Sequence, residues 1–313
     1  MHETAFQLNK QYDVQRLQHD LGCVDQAAWM PERPFAPAGE QPITAANWTC
    51  VPLRSPHGDE NRTDPGGPAL DAFAPTRYLA HAPYLQEILD KLPAEVRSAR
   101  LLSLAPGAAV EVHRDAYTGF AHGQVRLHIP ITTNDQAVIE IDGEPHTWQP
   151  GTLWLGDFTR PHRLWNNGAS ARVHLVIDVL TSPQLLDLVP AASAAGLDRS
   201  SIIVNRPRVS LTPEQRLTAQ ARFTIPPQAM GTQTSNDSPV AGSIQWVRNQ
   251  FVFTVNERPL YGLVPTSPTS FRFEGWTDAR TVHVDQDVVR LVSRQGNKVK
   301  QLSLARNGAS HEH

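Results

Sequence analysis

Long hydrophobic segments are missing from this sequence. No apolar run approaches the ~18 residues that a membrane-spanning helix needs, and the N-terminal stretch MHETAFQLNKQYDVQRLQHDL has no apolar core of the kind found in signal peptides. The formal net charge is −3, which gives no reason to expect a nucleic-acid or membrane-surface partner. We therefore predict a cytoplasmic protein that binds neither nucleic acid nor membranes.

Cysteine is also scarce, and Cys23 and Cys50 are the only two in the chain. Two isolated thiols cannot supply the disulfide framework on which small secreted folds depend, and we expect both to be reduced. Stability must then come from hydrophobic cores. A length of 313 residues is enough for one large domain and a second, smaller one.

Residues 1–182 are predicted to form the main domain. Up to about residue 80 the sequence is irregular and rich in Pro, Gly and Asp, and residues 55–75 are interpreted as a polar loop that acts as a lid over a site. A helix is predicted next, with Pro83 in its first turn. Four apolar side chains lie on one face of that helix: Leu85, Ile88, Leu89 and Leu92.

Between about residues 98 and 182 the apolar positions change to a period of two. In the segment QVRLHIPI, Leu127 and Ile129 share one face while Arg126 and His128 share the other. Short alternating strands between Pro-Gly, Asp-Gly and Asn-Gly turns are typical of an antiparallel barrel or jelly roll. The segment ARVHLVIDV alternates in the same way and has three polar residues on one face: Arg172, His174 and Asp178. We therefore predict a mainly β fold in which a polar sheet face lines a reaction chamber.

The remainder of the chain divides into a connection and a second β-rich region. Residues 183–225 are interpreted as a helical linker, because Thr212 to Gln215 has the pattern of a capping box with Pro213 at the first helical position. Residues 226–313 contain alternating apolar positions, such as Phe251 and Phe253, and are predicted to form a smaller β-rich domain. No ligand cluster is evident there, so we expect this domain to contribute stability, a dimer contact or a docking surface for a carrier protein.

A cluster of potential metal ligands lies within the predicted strands. His113 and Asp115 are two residues apart, so on a strand their side chains point to the same side, and His162 comes from a second strand about fifty residues later. Two imidazoles and one carboxylate form a facial set that suits iron(II) and leaves positions open for a 2-oxo acid and O2. Arg172 follows ten residues after His162, and its planar guanidinium can hold the distal carboxylate of 2-oxoglutarate through two hydrogen bonds. The spacing therefore predicts an iron(II)- and 2-oxoglutarate-dependent oxygenase.

The same part of the chain resembles a known family. The segments that carry the resemblance are, in chain order, WTCVPLRSPHG, PYLQEILDKLP, ARLLSLAPGAAVEVHRD, GQVRLHIPITTN, WQPGTLWLGDFTRPHRLWNNG and ARVHLVIDV. From Trp48 to Val179 the sequence resembles the aspartyl/asparaginyl β-hydroxylases, a family that includes bacterial L-proline cis-hydroxylases. The resemblance implies a double-stranded β-helix, which is a jelly-roll or cupin-like fold, together with iron(II) and 2-oxoglutarate. It does not reach the last ~100 residues.

The resemblance also implies roles for individual residues. It makes His113, Asp115 and His162 the metal ligands at the catalytic centre and Arg172 the residue that binds 2-oxoglutarate. His128 resembles the family histidine that lies near the C1 carboxylate of 2-oxoglutarate.

Three further arginines are assigned to the site. Arg126 and Arg100 resemble arginines near the co-substrate or substrate carboxylates, and we assign Arg126 to the co-substrate and Arg100 to the substrate. Arg54 is added as a substrate residue because it adjoins the polar loop. Buried guanidinium groups need anionic partners, so the alternative is that these arginines pair with nearby acids such as Asp157 or Glu111.

Other interpretations of the polar residues are weaker. His-Arg-Asp at 113–115 also occurs in the catalytic loop of protein kinases, but Phe120 stands where that loop requires Asn. His174 shares a face with Arg172, and it is interpreted either as a residue that supports the site or as a structural histidine. The remaining candidates are expected to be solvated histidines or packing tryptophans: His122, His146, Trp148 and Trp165.

The substrate is expected to be a free amino acid, or an amino acid carried by a peptide or a carrier protein. Two alternatives remain open. One is hydroxylation of a lipid or acyl chain, which the lack of a membrane anchor disfavours. The other is a non-catalytic metal-binding β-barrel that acts as a sensor, which the presence of Arg172 beside the metal ligands disfavours because a simple metal binder needs no 2-oxo-acid site.

Overall fold

A computed structural model of the chain describes residues 3–24, 26–33, 48–226 and 238–307. The chain divides into two compact units, of which the first contains residues 1–66 and 73–204 and the second contains residues 67–72 and 205–313. Within the described residues, no helix is long and apolar enough to cross a bilayer.

The described residues of the first unit contain twelve β-strands, four short α-helices and four 3-10 helices. The strands are β1 (Ala5–Gln11), β2 (Met30–Pro31), β3 (Trp48–Pro56), β4 (Phe73–Pro75), β5 (Val96–Leu104), β6 (Ala109–His113), β7 (Gln124–Thr132), β8 (Ala137–Ile141), β9 (Glu144–His146), β10 (Thr152–Gly156), β11 (His162–Asn166) and β12 (Arg172–Leu180). The α-helices are α1 (Val14–Cys23), α2 (Pro83–Asp90), α3 (Pro183–Leu186) and α4 (Ala191–Ala194), and the 3-10 helices are Gln26–Ala28, Arg77–His81, Phe120–His122 and Arg199–Ser201.

These strands form two antiparallel sheets. The larger one has eight strands in the order β1-β10-β7-β12-β5-β3-β2, with β4 paired to β3, and the smaller one has the order β6-β11-β8-β9. Neighbours in both sheets are mostly far apart in sequence, as in a jelly roll, where each strand pairs with distant ones. The predicted mainly β, jelly-roll-like fold is confirmed.

One face of the large sheet packs against helices. Leu127 of β7 and Leu175 of β12 belong to a buried core that also contains Leu17 of α1 and Leu85 and Ile88 of α2. Burial of each such side chain contributes about 1.5–3 kcal/mol. The alternation predicted for β7 and β12 is confirmed, and it places their polar residues on the opposite face of the sheet.

Helix α2 has the predicted apolar face, but its N-terminus is capped by a side chain of α1. Ala82 at the N-cap provides no side-chain acceptor, and Pro83 occupies the first turn. The buried carboxylate of Asp20 accepts hydrogen bonds instead from the backbone N–H groups of Tyr84 (2.7 Å) and Leu85 (2.9 Å). An acid on α1 thus satisfies orphan donors and favours the positive end of the α2 dipole.

The N-terminal region is more regular than the sequence predicted. Strand β1 pairs with β10 and buries Phe6 and Leu8. Helix α1 begins at Val14, and the side chain of its N-cap residue Asp13 accepts from Gln15 N and Arg16 N. Only Leu17 and Asp20 of α1 are buried, so the helix shows little apolar periodicity and its docking depends on tertiary contacts. The prediction of an irregular region up to residue 80 is therefore wrong for residues 5–23.

The second unit is a closed eight-stranded antiparallel barrel preceded by the capped helix α5 (Pro213–Thr218). Its strands are β13 (Ala221–Ile225), β14 (Val240–Val247), β15 (Gln250–Val255), β16 (Arg258–Ser267), β17 (Ser270–Phe273), β18 (Arg280–Val284), β19 (Val288–Gln295) and β20 (Lys298–Asn307). The capping box of Thr212 and Gln215 is present as predicted. Strand β13 pairs with β14 and β20, so the region interpreted as a linker already contains the first strand of the barrel.

Candidate metal and 2-oxo-acid site

The three predicted metal ligands meet where two strands of the small sheet adjoin. His113 ends β6 and His162 begins β11, and the register pairs them directly, with ring centroids 4.1 Å apart. Asp115 follows β6, and its backbone N–H donates to the carbonyl of Phe158 at 2.9 Å. One ligand atom from each of the three residues lies within 4.8 Å of the others. The sequence spacing and the structure therefore agree on one cluster of two imidazoles and a carboxylate.

Hydrogen bonds fix which ring nitrogen of each histidine faces the cluster. His113 Nδ1 lies 2.8 Å from the carbonyl of Glu111, and His162 Nδ1 lies 3.0 Å from the carbonyl of Arg160. A carbonyl only accepts, so both Nδ1 atoms carry protons, and in the neutral form of each ring the lone pair is on Nε2. These Nε2 atoms are 3.9 Å and 4.0 Å from Asp115 Oδ1. Burial lowers the pKa of His162, which keeps its ring neutral, as a metal ligand must be.

Arg126 holds the carboxylate of Asp115 from the other side. Its Nη1 donates to Asp115 Oδ2, while its Nε and Nη2 donate to the two oxygens of buried Asp178 at 2.8 Å and 3.1 Å. Asp178 lies opposite Arg126 in the register between β12 and β7. The contacts do not support the predicted role of Arg126 in binding a co-substrate carboxylate, because its donors are directed at two acids of the chain.

The partners of Arg126 also differ from those that the sequence suggested. Asp157 pairs with Arg160 at 3.0 Å, and Asp178 is the acid on the polar face of β12. The signal that would have identified Asp178 was the shared face of two adjacent strands, which requires knowledge of the strand register.

Arg100 is held less closely than Arg126. Its Nη2 is 3.5 Å from Asp178 Oδ2, its Nη1 is 3.5 Å from Glu32 Oε1, and Nη1 also donates to the carbonyl of Thr63 at 3.2 Å. Its buried Nε has no hydrogen-bond partner among the described residues. Asp178 is already engaged by Arg126 and by Ser98 Oγ (2.8 Å). Within the part of the chain that the structure describes, Arg100 thus has two distant carboxylates and no short ion pair.

Glu32 is a member of this group that the sequence reasoning missed. It is buried, and burial raises its pKa to about 7 although Arg100 opposes the shift. Nothing in its local sequence distinguished it from a surface acid, because its proximity to Arg100 depends on the pairing of β2 with β3 and of β3 with β5.

Arg54 has a structural role. Its Nη2 donates to the carbonyl of Phe73 at 2.7 Å, and its Nε donates to the carbonyl of Val96 at 3.1 Å. These bonds connect β3 to the beginnings of β4 and β5. They do not support the predicted role of Arg54 in substrate binding.

Arg172 is a buried cation that lacks a carboxylate partner among the described residues. It is 2% exposed, and its Nη2 donates a hydrogen bond to His174 Nδ1 at 2.9 Å. Burial lowers the pKa of Arg172 to about 9, and no acid among the described residues opposes that shift. A guanidinium in this state favours an incoming anion. It therefore fits the distal carboxylate of a 2-oxo diacid.

A second histidine, His174, connects His128 to Arg172. His128 Nδ1 and His174 Nδ1 are 3.3 Å apart, and both rings contact the indole of Trp148. Burial lowers the pKa of both histidines well below the usual range, and the charge of Arg172 acts in the same direction. The structure thus places His128 in one group with Arg172, His174 and Trp148. The role of His128 near the C1 carboxylate of 2-oxoglutarate stays a prediction.

Just under half of the chain matches a known family. Residues 30–182 match the family described as aspartyl/asparaginyl β-hydroxylase. This region contains the whole metal cluster and Arg172.

Several solved structures show partial similarity. An oxidoreductase of the 2OG-Fe(II) oxygenase family from Burkholderia pseudomallei is 13% identical with a TM-score of 0.36, over 53% of this chain and 77% of that one. AviO1 from Streptomyces viridochromogenes Tue57 is 14% identical with a TM-score of 0.36, over 60% and 92%. A predicted oxalate decarboxylase from Thermotoga maritima is 13% identical with a TM-score of 0.26, over 50% and 97%. With identities and TM-scores this low, these likenesses support no conclusion about the function of this chain.

Proposed function

We propose that the protein is a 2-oxoglutarate-dependent dioxygenase that hydroxylates an amino acid, either free or as an aminoacyl or peptidyl residue. The match of residues 30–182 to the aspartyl/asparaginyl β-hydroxylase family supports this proposal. The observation that carries the proposal is one combination of features. An open set of two imidazoles and a carboxylate lies in the same unit as a buried arginine that has no acid partner among the described residues. A protein that only binds metal has no need of the second feature.

Different residues of the site bind the metal, bind 2-oxoglutarate and orient the metal ligands. His113, Asp115 and His162 would hold iron(II), and Arg172 would bind the distal carboxylate of 2-oxoglutarate. When bound, iron(II) and 2-oxoglutarate supply the oxidising chemistry, in which 2-oxoglutarate and O2 yield succinate, CO2 and a hydroxylated substrate. Arg126 fixes the orientation of Asp115, and the two backbone carbonyls fix the histidine tautomers.

We assign the substrate carboxylate to Arg100. Of the three further arginines predicted for the site, Arg54 is bound to carbonyls and Arg126 to two acids, whereas Arg100 has only distant carboxylates and an unpaired Nε. Arg100 and Arg126 both contact Asp178, which places Arg100 next to the residue that orients Asp115. A substrate carboxylate would replace the distant contact with Glu32 by a close, two-bond pair.

A substrate panel tests this proposal. The iron(II)-loaded protein is incubated with 2-oxoglutarate, ¹⁸O2 and each of the twenty common L-amino acids, their methyl esters and their N-acetyl amides, and products are sought by mass spectrometry. We expect one or a few free acids to gain a labelled oxygen and the matching methyl esters to react at least tenfold more slowly. Arg100→Ala should abolish this difference without changing iron affinity. The control is Arg163→Ala, which removes an exposed arginine that pairs with Glu140.

Two outcomes would contradict the assignment. Equal turnover of the acid and its methyl ester would show that Arg100 does not bind a substrate carboxylate. It would favour a peptide or carrier-bound substrate. Turnover of acyl chains, with no product from any amino-acid derivative, would overturn the amino-acid proposal.

A further inference from the structure

Two of the three metal-ligand candidates are held by one loop. Residues 157–161 connect β10 to β11, and the carbonyl of Phe158 accepts a hydrogen bond from Asp115 N at 2.9 Å. The carbonyl of Arg160 accepts from His162 Nδ1 at 3.0 Å. The loop thus holds the carboxylate ligand through its backbone and the imidazole ligand through its ring.

The carboxylate of Asp157 determines the conformation of this loop. Its Oδ1 accepts from Thr159 N at 3.3 Å and from Thr159 Oγ1, and its Oδ2 accepts from Arg160 Nε at 3.0 Å. The carbonyl of Asp157 also accepts from Arg160 N at 3.1 Å. An aspartate side chain that accepts from the backbone two residues later forms an Asx turn, which fixes the local backbone. Asp157 therefore acts on the direction in which the Arg160 carbonyl points.

The side chain of Arg160 adds a second anchor outside the loop. Its Nη1 donates to Asp142 Oδ2 in the turn after β8, and Asp142 N donates to the carbonyl of Pro161 at 2.8 Å. The acids and the arginine are all partly exposed, so their ion pairs add little to the stability of the fold. The main effect of these contacts is on the position of the loop.

The second histidine of the cluster provides an internal comparison. His113 Nδ1 is also bonded to a carbonyl, but that carbonyl belongs to Glu111 of β6 and lies outside the loop. A change in the loop should therefore alter the ring of His162 and leave the ring of His113 unaltered. General loss of structure would alter both.

We propose that Asp157, together with Arg160, is a positioning residue of the metal site: it fixes the loop whose carbonyls hold Asp115 and the Nδ1–H form of His162. This rests on the proposed function for the identity of the site. Residues that orient metal ligands without touching the metal commonly contribute to metal affinity. The acid that the sequence offered as a partner for a buried arginine is thereby assigned to the metal site.

Two substitutions of Asp157 separate hydrogen bonding from charge. Asp157→Ala removes every side-chain contact, whereas Asp157→Asn keeps the oxygen that an Asx turn needs and loses the charge. We expect Asp157→Ala to weaken Co(II) binding about tenfold and to change the absorption bands of the bound Co(II), and Asp157→Asn to restore most of both. The matched control is Glu140→Gln, an acid paired with Arg163 on the same small sheet, which should bind Co(II) as wild type does.

The tautomer of each histidine is measured without any metal. Long-range ¹H–¹⁵N spectra of ¹⁵N-histidine-labelled, metal-free protein at pH 8 distinguish a proton on Nδ1 from one on Nε2. The signals of His113 and His162 are those missing from His113→Gln and His162→Gln. We expect an Nδ1–H ring for both histidines in wild type, and in Asp157→Ala a mixture of the two tautomers for His162 alone.

A second variant keeps the proposal testable if Asp157→Ala does not fold. Arg160→Gln removes the guanidinium that joins Asp157 to Asp142 and keeps the backbone carbonyl at position 160. We expect weaker Co(II) binding and a second tautomer of His162, both to a smaller degree than in Asp157→Ala. Wild-type Co(II) binding together with an unchanged His162 ring would overturn the proposal.

The outcomes distinguish this proposal from the function on which it rests. Wild-type Co(II) affinity in Asp157→Ala, or a His162 ring that keeps its proton on Nδ1 in that variant, would overturn the role of Asp157 and leave the proposed function intact. Equal changes in His113 and His162 would also overturn it, because they would indicate general loss of structure. If the wild-type protein bound no Co(II), the metal site and the proposed function would fail, and the role of Asp157 with them.

Discussion

Arg126 connects Asp115 to Asp178. It donates from Nη1 to Asp115 Oδ2 and from Nε and Nη2 to the two oxygens of Asp178, so one guanidinium joins a metal-ligand candidate to a buried acid of β12. Because Oδ2 is occupied in this way, Oδ1 is the oxygen that faces His113 and His162. The orientation of the carboxylate ligand thus depends on a residue that touches no metal.

Replacement of Arg126 should therefore weaken metal binding. In Arg126→Lys, one ammonium group cannot donate to both Asp115 and Asp178 as the planar guanidinium does. We therefore expect a loss of metal affinity of about 10–100-fold. Chelator competition with Mn(II) or Zn(II) measures this affinity. Arg163→Lys, at an exposed pair with Glu140, is the control and should behave as wild type. Wild-type affinity in Arg126→Lys would show that Asp115 does not need this support.

The metal cluster itself is tested one ligand at a time. We expect His113→Ala, Asp115→Ala and His162→Ala each to reduce iron(II) affinity at least about tenfold and to abolish turnover, because no other described residue belongs to the cluster. Circular dichroism and thermal unfolding should show a largely intact fold. His146→Ala removes a histidine whose partner is Thr4 and should leave metal binding unchanged. Full activity in any of the three ligand variants would exclude that residue from the set.

Arg172 gives a prediction that depends on hydrogen-bond geometry more than on charge. Arg172→Lys keeps a cation but loses the bidentate fork, so the apparent KM for 2-oxoglutarate should rise at least about tenfold while metal affinity stays constant. Steady-state succinate formation over a range of 2-oxoglutarate concentrations provides the measurement. An unchanged KM would place the co-substrate carboxylate elsewhere.

Glu32 should make stability depend on pH. In the folded chain it keeps its proton up to about pH 7, whereas its ordinary pKa is 4.5, so between these values the folded state binds more protons than the unfolded state. Stability must then fall as pH rises through this window and level off above it. The unfolding free energy of wild type relative to Glu32→Gln should decrease by roughly 3 kcal/mol from pH 4.5 to pH 8, at about 1.4 kcal/mol per pKa unit. Urea unfolding of both proteins at each pH gives this difference. If the difference is the same at pH 4.5 and pH 8, burial does not raise the pKa of Glu32.

The parts of the site that the sequence predicted are those set by short-range spacing. His113 and Asp115 are two apart on a strand, and the faces of β7 and β12 follow from alternation. The metal cluster and the face of β12 on which Arg172 lies therefore agree with prediction. Helix α2 and the mainly β fold were predicted on similar grounds, from the periodicity of apolar residues and from turn residues.

The parts that were missed depend on which strands are neighbours. Asp178 pairs with Arg126 only because β12 lies next to β7, and Glu32 reaches Arg100 only through β2 and β3. Side-chain type could not reveal these partners, since an acid that pairs with a buried arginine is identical in sequence to a solvated one. The hydrogen bonds from Arg54 to two backbone carbonyls could not be predicted for the same reason.

The most direct test of the account is iron-dependent conversion of 2-oxoglutarate into succinate by the whole chain. Aerobic protein is incubated with iron(II), ascorbate and 2-oxoglutarate, and succinate is quantified beside matched reactions without iron and with His162→Ala. The account predicts succinate from the wild-type protein only when iron(II) is present, and none above background from His162→Ala. A wild-type protein that binds iron(II) tightly yet forms no succinate, alone or with any member of the amino-acid panel, would contradict it and would favour a metal-binding sensor.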